Sequence, residues 1–127
     1  MVPTFLTLDE ILEIHKDQIA RYGGAAGIRD LGLLHSALAQ PQATFAGQFL
    51  HGDPFEMAAA YLFHLVQNHP FNDGNKRVGA VAALVFLQLK DRDIKATDQE
   101  LESLVLSVAQ GKTEKQAIAQ FLREHAV

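Results

Sequence analysis

Cysteine is absent from all 127 residues. That excludes disulfides and thiolate metal sites, and it fits a reducing compartment. A basic balance is missing too. The formal net charge of −4 argues against a nucleic-acid binder that works by neutralising phosphates, while leaving room for a local basic patch at a phosphate site. No charged n-region precedes an apolar core at the N-terminus, so no export signal is expected. The apolar runs are too short and too interrupted to span a bilayer. There is no internal repeat, no low-complexity segment, and no H-E-x-x-H or Walker A pattern. The expectation left standing is a cytoplasmic globular protein with no membrane and no direct nucleic-acid partner. Its 48% hydrophobic and 20% charged residues are ordinary for that class. The length suits one domain, residues 1–127, with a real core.

Thr7-Leu8-Asp9-Glu10 has the form of a capping box. Leu8, Ile11, Leu12, His15 and Ile19 continue it at helical spacing. Gly23-Gly24 stops that helix, and residues 21–29 form a loop. Asp30 caps a second helix carrying Leu31, Leu34 and Leu38, which ends before Pro41. Within residues 41–53, where Pro41, Gly47 and Gly52 punctuate and Phe45 and Phe49 anchor, a short helix and an irregular flap both fit Ala43 to Leu50. Asp53-Pro54-Phe55-Glu56 starts a third helix that runs to Asn68. The stretch Val78–Leu89 is apolar on all sides, the pattern of a helix surrounded by helices, and Gly79 and the alanines admit a close neighbour. Thr97-Asp98-Gln99-Glu100 is a second capping box, followed by the amphipathic face Leu101, Leu104, Val105, Val108 and Ala109, with Gly111 as the stop. Thr113-Glu114-Lys115-Gln116 starts a last helix with Ile118, Phe121 and Leu122 inward. The pattern predicts an all-α, single-domain bundle of six or more helices with no convincing strand.

Between the third helix and the apolar one lies His69-Pro70-Phe71-Asn72-Asp73-Gly74-Asn75-Lys76-Arg77. This loop ends on a helix N-terminus, where free N–H groups and the dipole favour an anion. Gly74 lets the backbone turn and approach a ligand. The N–H groups of Gly74, Asn75 and Lys76 can form a nest for phosphate oxygens, to which Lys76 and Arg77 add charge. His69 ends the preceding helix and can take a proton from an attacking hydroxyl. Asp73 is a hard oxygen ligand suited to Mg2+ bridged to phosphates. Phe71 anchors the loop in the core, and Asn72 and Asn75 hold loop or ligand by hydrogen bonds. Together these are the parts for phosphoryl or nucleotidyl transfer.

Structural roles compete with each of these. Asp73 can cap the next helix, and His69 can bond the carbonyls of the preceding one. Lys76 and Arg77 oppose the dipole at a helix start, so a structural role explains them poorly. The combination favours function. His64, amid apolar residues, reads as a satisfied core histidine. His15, His35, His51 and His125 show no metal-ligand spacing.

His69-Pro70-Phe71-Asn72-Asp73-Gly74-Asn75 resembles the signature loop of the Fic/Doc (death-on-curing) family, of the form H-P/x-F-x-D/E-G/A-N. Arg21-Tyr22-Gly23-Gly24 is similar to the corresponding segment of the Doc branch, so the resemblance covers nearly the whole chain. It implies a helical core in which the loop caps a central buried helix. It implies His69 as the base, Asp73 as the Mg2+ ligand, and Gly74, Asn75, Lys76 and Arg77 as the binders of nucleotide phosphates, with ATP and Mg2+ as cofactors.

Members that transfer AMP usually continue G-N-G-R-x-x-R. Here Lys76 stands at the second glycine and Ala80 at the second arginine. Asn-Lys-Arg is how the Doc branch reads, with Gly74 in place of its alanine. Doc-like members are described as binding ATP reversed, so the implied reaction is transfer of the γ-phosphate to a protein hydroxyl. The implied target is translation elongation factor Tu, and the implied consequence is arrested translation, the action of a toxin. No S/T-x-x-x-E-G/N self-restraining helix is present, so the resemblance implies a separate antitoxin whose disordered segment folds into an apolar groove. Region 41–53 and the last two helices are candidates for that groove. Two other readings stay open: AMP transfer by a Fic-type adenylyltransferase, and a non-catalytic nucleotide- or anion-binding module.

Overall fold

Helix caps set most of the chain's punctuation. A computed structural model describes residues 4–127. The expectation about an export signal reaches into residues 1–3, outside that range. Thr7 Oγ1 accepts from the Glu10 N–H at 3.2 Å, and Glu10 returns the bond to the Thr7 N–H at 2.9 Å. That box opens α1, Leu8–Tyr22, which Gly23 ends. Asp30 caps α2, Leu31–Ala39, and Asp53 caps α3, Pro54–Asn68, with proline at the start of α3. Then come α4, Asn75–Leu89, and α5, Asp98–Ala109, opened by the Thr97 box. The last helix, α6, is Lys115–Glu124. It starts within the expected stretch: Glu114 is the N-cap and makes no side-chain cap bond, while the Thr113 hydroxyl pairs with Ser107.

The architecture is all-α, with one small exception. Residues 41–53 form neither a helix nor an irregular flap throughout. After a 3-10 turn at Gln40–Gln42, β1 (Thr44–Phe45) pairs antiparallel with β2 (Gln48–Phe49). Positive φ at Ala46 and Gly47 makes this tight reversal possible. Phe49 packs partly against the core, but Phe45 is exposed and anchors nothing.

Burial is deepest in α3. Met57–Leu62, Leu65 and Val66 are all buried, and α3 packs against α2, α4, α5 and α6. The apolar helix α4 is its partner, and it leaves Ala80, Val81, Leu84 and Val85 only partly covered. The two helices cross closely because Gly79 has no side chain. A Cβ there would lie 2.9 Å from Val66 Cγ2 and 3.2 Å from the Leu62 carbonyl. Polar links finish the core. Tyr61 Oη accepts from the Leu6 N–H at 2.8 Å, and burial pushes the phenol up to about 12. Gln67 donates to the Val108 carbonyl at 2.6 Å, tying α3 to α5. Among the described residues no helix is long and apolar enough to cross a membrane.

His64 is half-buried, with a polar partner. Lys115 Nζ lies 3.1 Å from its Nε2 and 3.3 Å from that of His51. Burial first, then the Lys115 charge, pulls His64 from 6.5 to about 4. The ring therefore stays neutral in the fold while the unfolded chain's histidine charges below 6.5. Stability from this source is intact above pH 6.5 and is lost as the pH falls toward 4. Replacing His64 by Gln is expected to flatten the fall in thermal midpoint across that window. A second expectation concerns the crossing. Gly79→Val should destabilise by about 1–3 kcal/mol through overpacking, read as a lower denaturation midpoint in urea.

Candidate active site

At the end of α3 the chain reverses on a residue that is not glycine. His69 occupies the C-cap position with φ 50° and ψ 54°. This left-handed conformation costs a non-glycine residue about 1–3 kcal/mol and persists only where neighbours enforce it. The imidazole does not bond the carbonyls of α3. Arg29 does that, donating to Asn68 O at 3.0 Å and to His69 O at 2.7 Å. The ring itself is held by Asn75, whose Nδ2 lies 3.0 Å from His69 Nδ1.

Asn75 is 4% exposed. Its Oδ1 accepts from the Phe71 N–H at 2.9 Å, and its Nδ2 donates to Phe71 O at 3.0 Å. Those two bonds set the orientation of the amide. Nδ2 therefore donates to His69 as well, Nδ1 accepts, and the neutral ring carries its proton on Nε2. The Asn75 side chain is thus occupied within the loop, and only its backbone N–H is left for a phosphate.

Phe71 is fully buried, as an anchor should be. His15 is stacked on it, with centroids 3.9 Å apart and planes 7° apart, and His15 Nε2 bonds Asp73 O at 3.0 Å. His15 was not among the residues picked from the sequence. A histidine on the apolar face of α1, 6% exposed, needs a partner, but the sequence does not say which.

Loop 23–30 closes the other edge. Arg29 N and Asp30 N donate to Pro70 O, Ile28 bridges Phe71 antiparallel, and the Asn72 N–H donates to Gly27 O. The Asn72 amide donates to Ala26 O at 3.1 Å. Asn72 is therefore a loop support, as expected of it. Asp73 Oδ2 accepts from the Ala25 N–H at 3.3 Å and Oδ1 from the Gly74 N–H at 2.8 Å. Those two amides, with Arg77 and Lys76 further off, hold the Asp73 carboxyl below the usual range. Gly24 must be glycine here, since at its φ of 115° a Cβ would stand 2.5 Å from Asp73 Oδ2.

Asp73 does not cap α4. The N-cap is Gly74, left-handed at φ 82°, with no side-chain cap bond. The first turn of α4 therefore keeps open N–H groups, although the Gly74 N–H is taken by Asp73. Lys76 is exposed, and among the described residues its ammonium makes no hydrogen bond or ion pair. Arg77 differs from the expectation that a structural role suits it poorly. It donates to Gln18 O at 3.3 Å and to Gly23 O at 3.2 Å, and its guanidinium stacks 5.6 Å from the Tyr22 ring. It serves the C-terminal end of α1, where a cation is favourable.

A cavity of about 500 Å3 opens beside this helix start. Lys76, Arg77 and Ala80 line it from α4, with Gln18 and Tyr22 from α1 and Asp98 and Glu102 among the α5 residues. Among the described residues no three His, Cys, Asp or Glu side chains gather as a metal cage. One ionised, exposed Asp73 fits an Mg2+ that arrives on phosphates and keeps its waters, since that ion takes only one or two protein carboxylates.

The loop's dependence on Asn75 can be measured. Asn75→Ala leaves the N–H and C=O of buried Phe71 unpaired, and a loss of about 1–3 kcal/mol in unfolding free energy is expected. Urea denaturation of the two chains checks it.

With this geometry in view, the relatives are informative. The Fic/DOC family pattern matches residues 5–87, from the start of α1 through α4. The chain is 34% identical over 115 residues to "Protein kinase doc" of Escherichia phage P1, covering 91% of this chain and 90% of that one. It is 44% identical over 68 residues to "Toxin Doc" of Mycolicibacterium smegmatis, covering 54% of this chain and 52% of that one. The chain belongs to the Fic/Doc family.

Proposed function

We propose that this chain is a Doc-like toxin: a cytoplasmic protein kinase that moves the γ-phosphate of ATP to a Ser or Thr hydroxyl of a protein target. The printed names of the two relatives, a kinase and a toxin, support the reading. The observation that carries it is the make-up of the α4 start. The helix starts with no side-chain cap, and exposed Lys76, without a hydrogen bond or ion pair among the described residues, follows His69 and Asp73 in the chain. Ala80 and the carboxylates Asp98 and Glu102 line the adjoining cavity, where an AMP transferase of this family would place its second arginine. Carboxylates there disfavour the far phosphates of a nucleotide bound in the AMP-transferring sense.

The residues divide the work as follows. The open amides of α4 and Lys76 bind phosphate oxygens through a fixed dipole and a mobile charge. Asp73, kept ionised by the Ala25 and Gly74 amides, would hold Mg2+, whose chemistry is to neutralise charge on the transferred group. His69 is the proton acceptor. Its ring is exposed, so solvent can move the proton from Nε2 to Nδ1. That exchange breaks the Asn75 bond and leaves Nε2 free to take the hydroxyl proton.

Translation elongation factor Tu is the target that the family resemblance implies, with translation arrest as the outcome. The partner that restrains it is an antitoxin segment, disordered when free, that folds on binding.

Full-length chain incubated with a bacterial lysate and ATP labelled at either the α- or the γ-phosphate tests this reading. Label from the γ position on a protein is expected. Label from the α position would establish AMP transfer instead. ATP binding without transfer from either position would make the chain a binding module. His69→Ala should lower γ-label transfer by about 100- to 10,000-fold, the range for loss of a general base.

A further inference from the structure

We propose that Arg29 is a positioning residue for His69, setting the backbone from which the imidazole works. This rests on the reading of His69 as the proton acceptor. A helix C-terminus leaves its last carbonyls without helical partners. At the end of α3 the chain must also turn left-handed on His69. Arg29 meets both demands with one planar group. Its Nε donates to His69 O at 2.7 Å and its Nη2 to Asn68 O at 3.0 Å. Two donors fixed in one fork lock the spacing and direction of consecutive carbonyls, which a lysine ammonium cannot do. The guanidinium charge also sits at the negative end of α3.

The anchor is itself anchored. The Arg29 N–H donates to Pro70 O at 2.7 Å. Asp30, the next residue, caps α2 through the Leu33 N–H at 2.9 Å. Arg29 is therefore pinned to the loop on one side and to a helix start on the other, and it spans His69 between them. The two holds on His69 are complementary. Asn75 reaches only the ring, at Nδ1, and Arg29 reaches only the backbone. Among the described residues these are the hydrogen bonds made to His69 itself, which is exposed. Arg29 is exposed as well, so its bonds count little toward global stability. Its removal is expected to appear in the geometry of His69 and in turnover, with little change in folding.

The test uses full-length Arg29→Gln and Arg29→Lys. Backbone 13C shifts of His69 report its conformation directly. Transfer of γ-labelled phosphate gives kcat and the KM for ATP. In Arg29→Gln the His69 shifts should leave the left-handed range. kcat should fall about ten- to a hundredfold, the cost of misplacing a reacting group, while the KM for ATP holds within about twofold. The thermal midpoint should stay near that of the parent chain. Arg29→Lys, keeping charge but not the fork, should recover part of kcat. Unchanged His69 shifts in Arg29→Gln would overturn the proposal, and so would parental kcat. Should the parent chain transfer no γ-label, the kinase reading fails, and the His69 shifts still decide whether Arg29 positions that residue.

Discussion

The amide of Asn75 has almost no contact with solvent, and its recorded hydrogen bonds all run to the loop that leads into its own helix. Phe71 offers it one donor and one acceptor, and His69 offers an acceptor. Buried polar groups of this kind are stabilising only when every partner is present. The constraint is therefore collective: the ring of Phe71 stays in the core and the loop keeps its shape together, because one amide serves both. His15 completes the arrangement from α1, stacking on Phe71 and bonding the Asp73 carbonyl.

The loop has a rigid inner edge and a lighter outer one. On the inside it is held by α1, α3 and α4. On the outside it is held by residues 23–30, all exposed, through backbone bonds and the Asn72 and Asp73 side chains. Exposed backbone pairing of this kind lies at the low-stability end of a fold.

Much of this was legible in the sequence, and for definite reasons. Capping boxes at Thr7 and Thr97, the Asp53-Pro54 start and the Gly23 stop are local signals, and local physics decided them. Lys76 and Arg77 stand out because cations at a helix start oppose its dipole, and His69 and Asp73 stand out in combination with them. The contacts made by distant segments were illegible. The stack of His15 on Phe71 joins residues far apart in the chain, and neither residue type announces it. Arg29 looked like any loop arginine. Arg77 reads as ill suited to a structural role because its partners, carbonyls at the end of another helix, are distant in the chain. The hairpin at 44–49 was missed because each strand is two residues long and mostly exposed, so no alternation could develop.

Gly79 stands one helical turn from Asn75, where α4 packs against Leu62 and Val66 of α3. The two helices carry opposite halves of the site: His69 ends one, and the open amides and Lys76 begin the other. Their packing at Gly79 sets the relation between His69 and the first turn of α4. The spacing between His69 and the uncapped start of α4 is thus gauged by a residue that belongs to neither. Its alignment depends on a side chain that the chain does without.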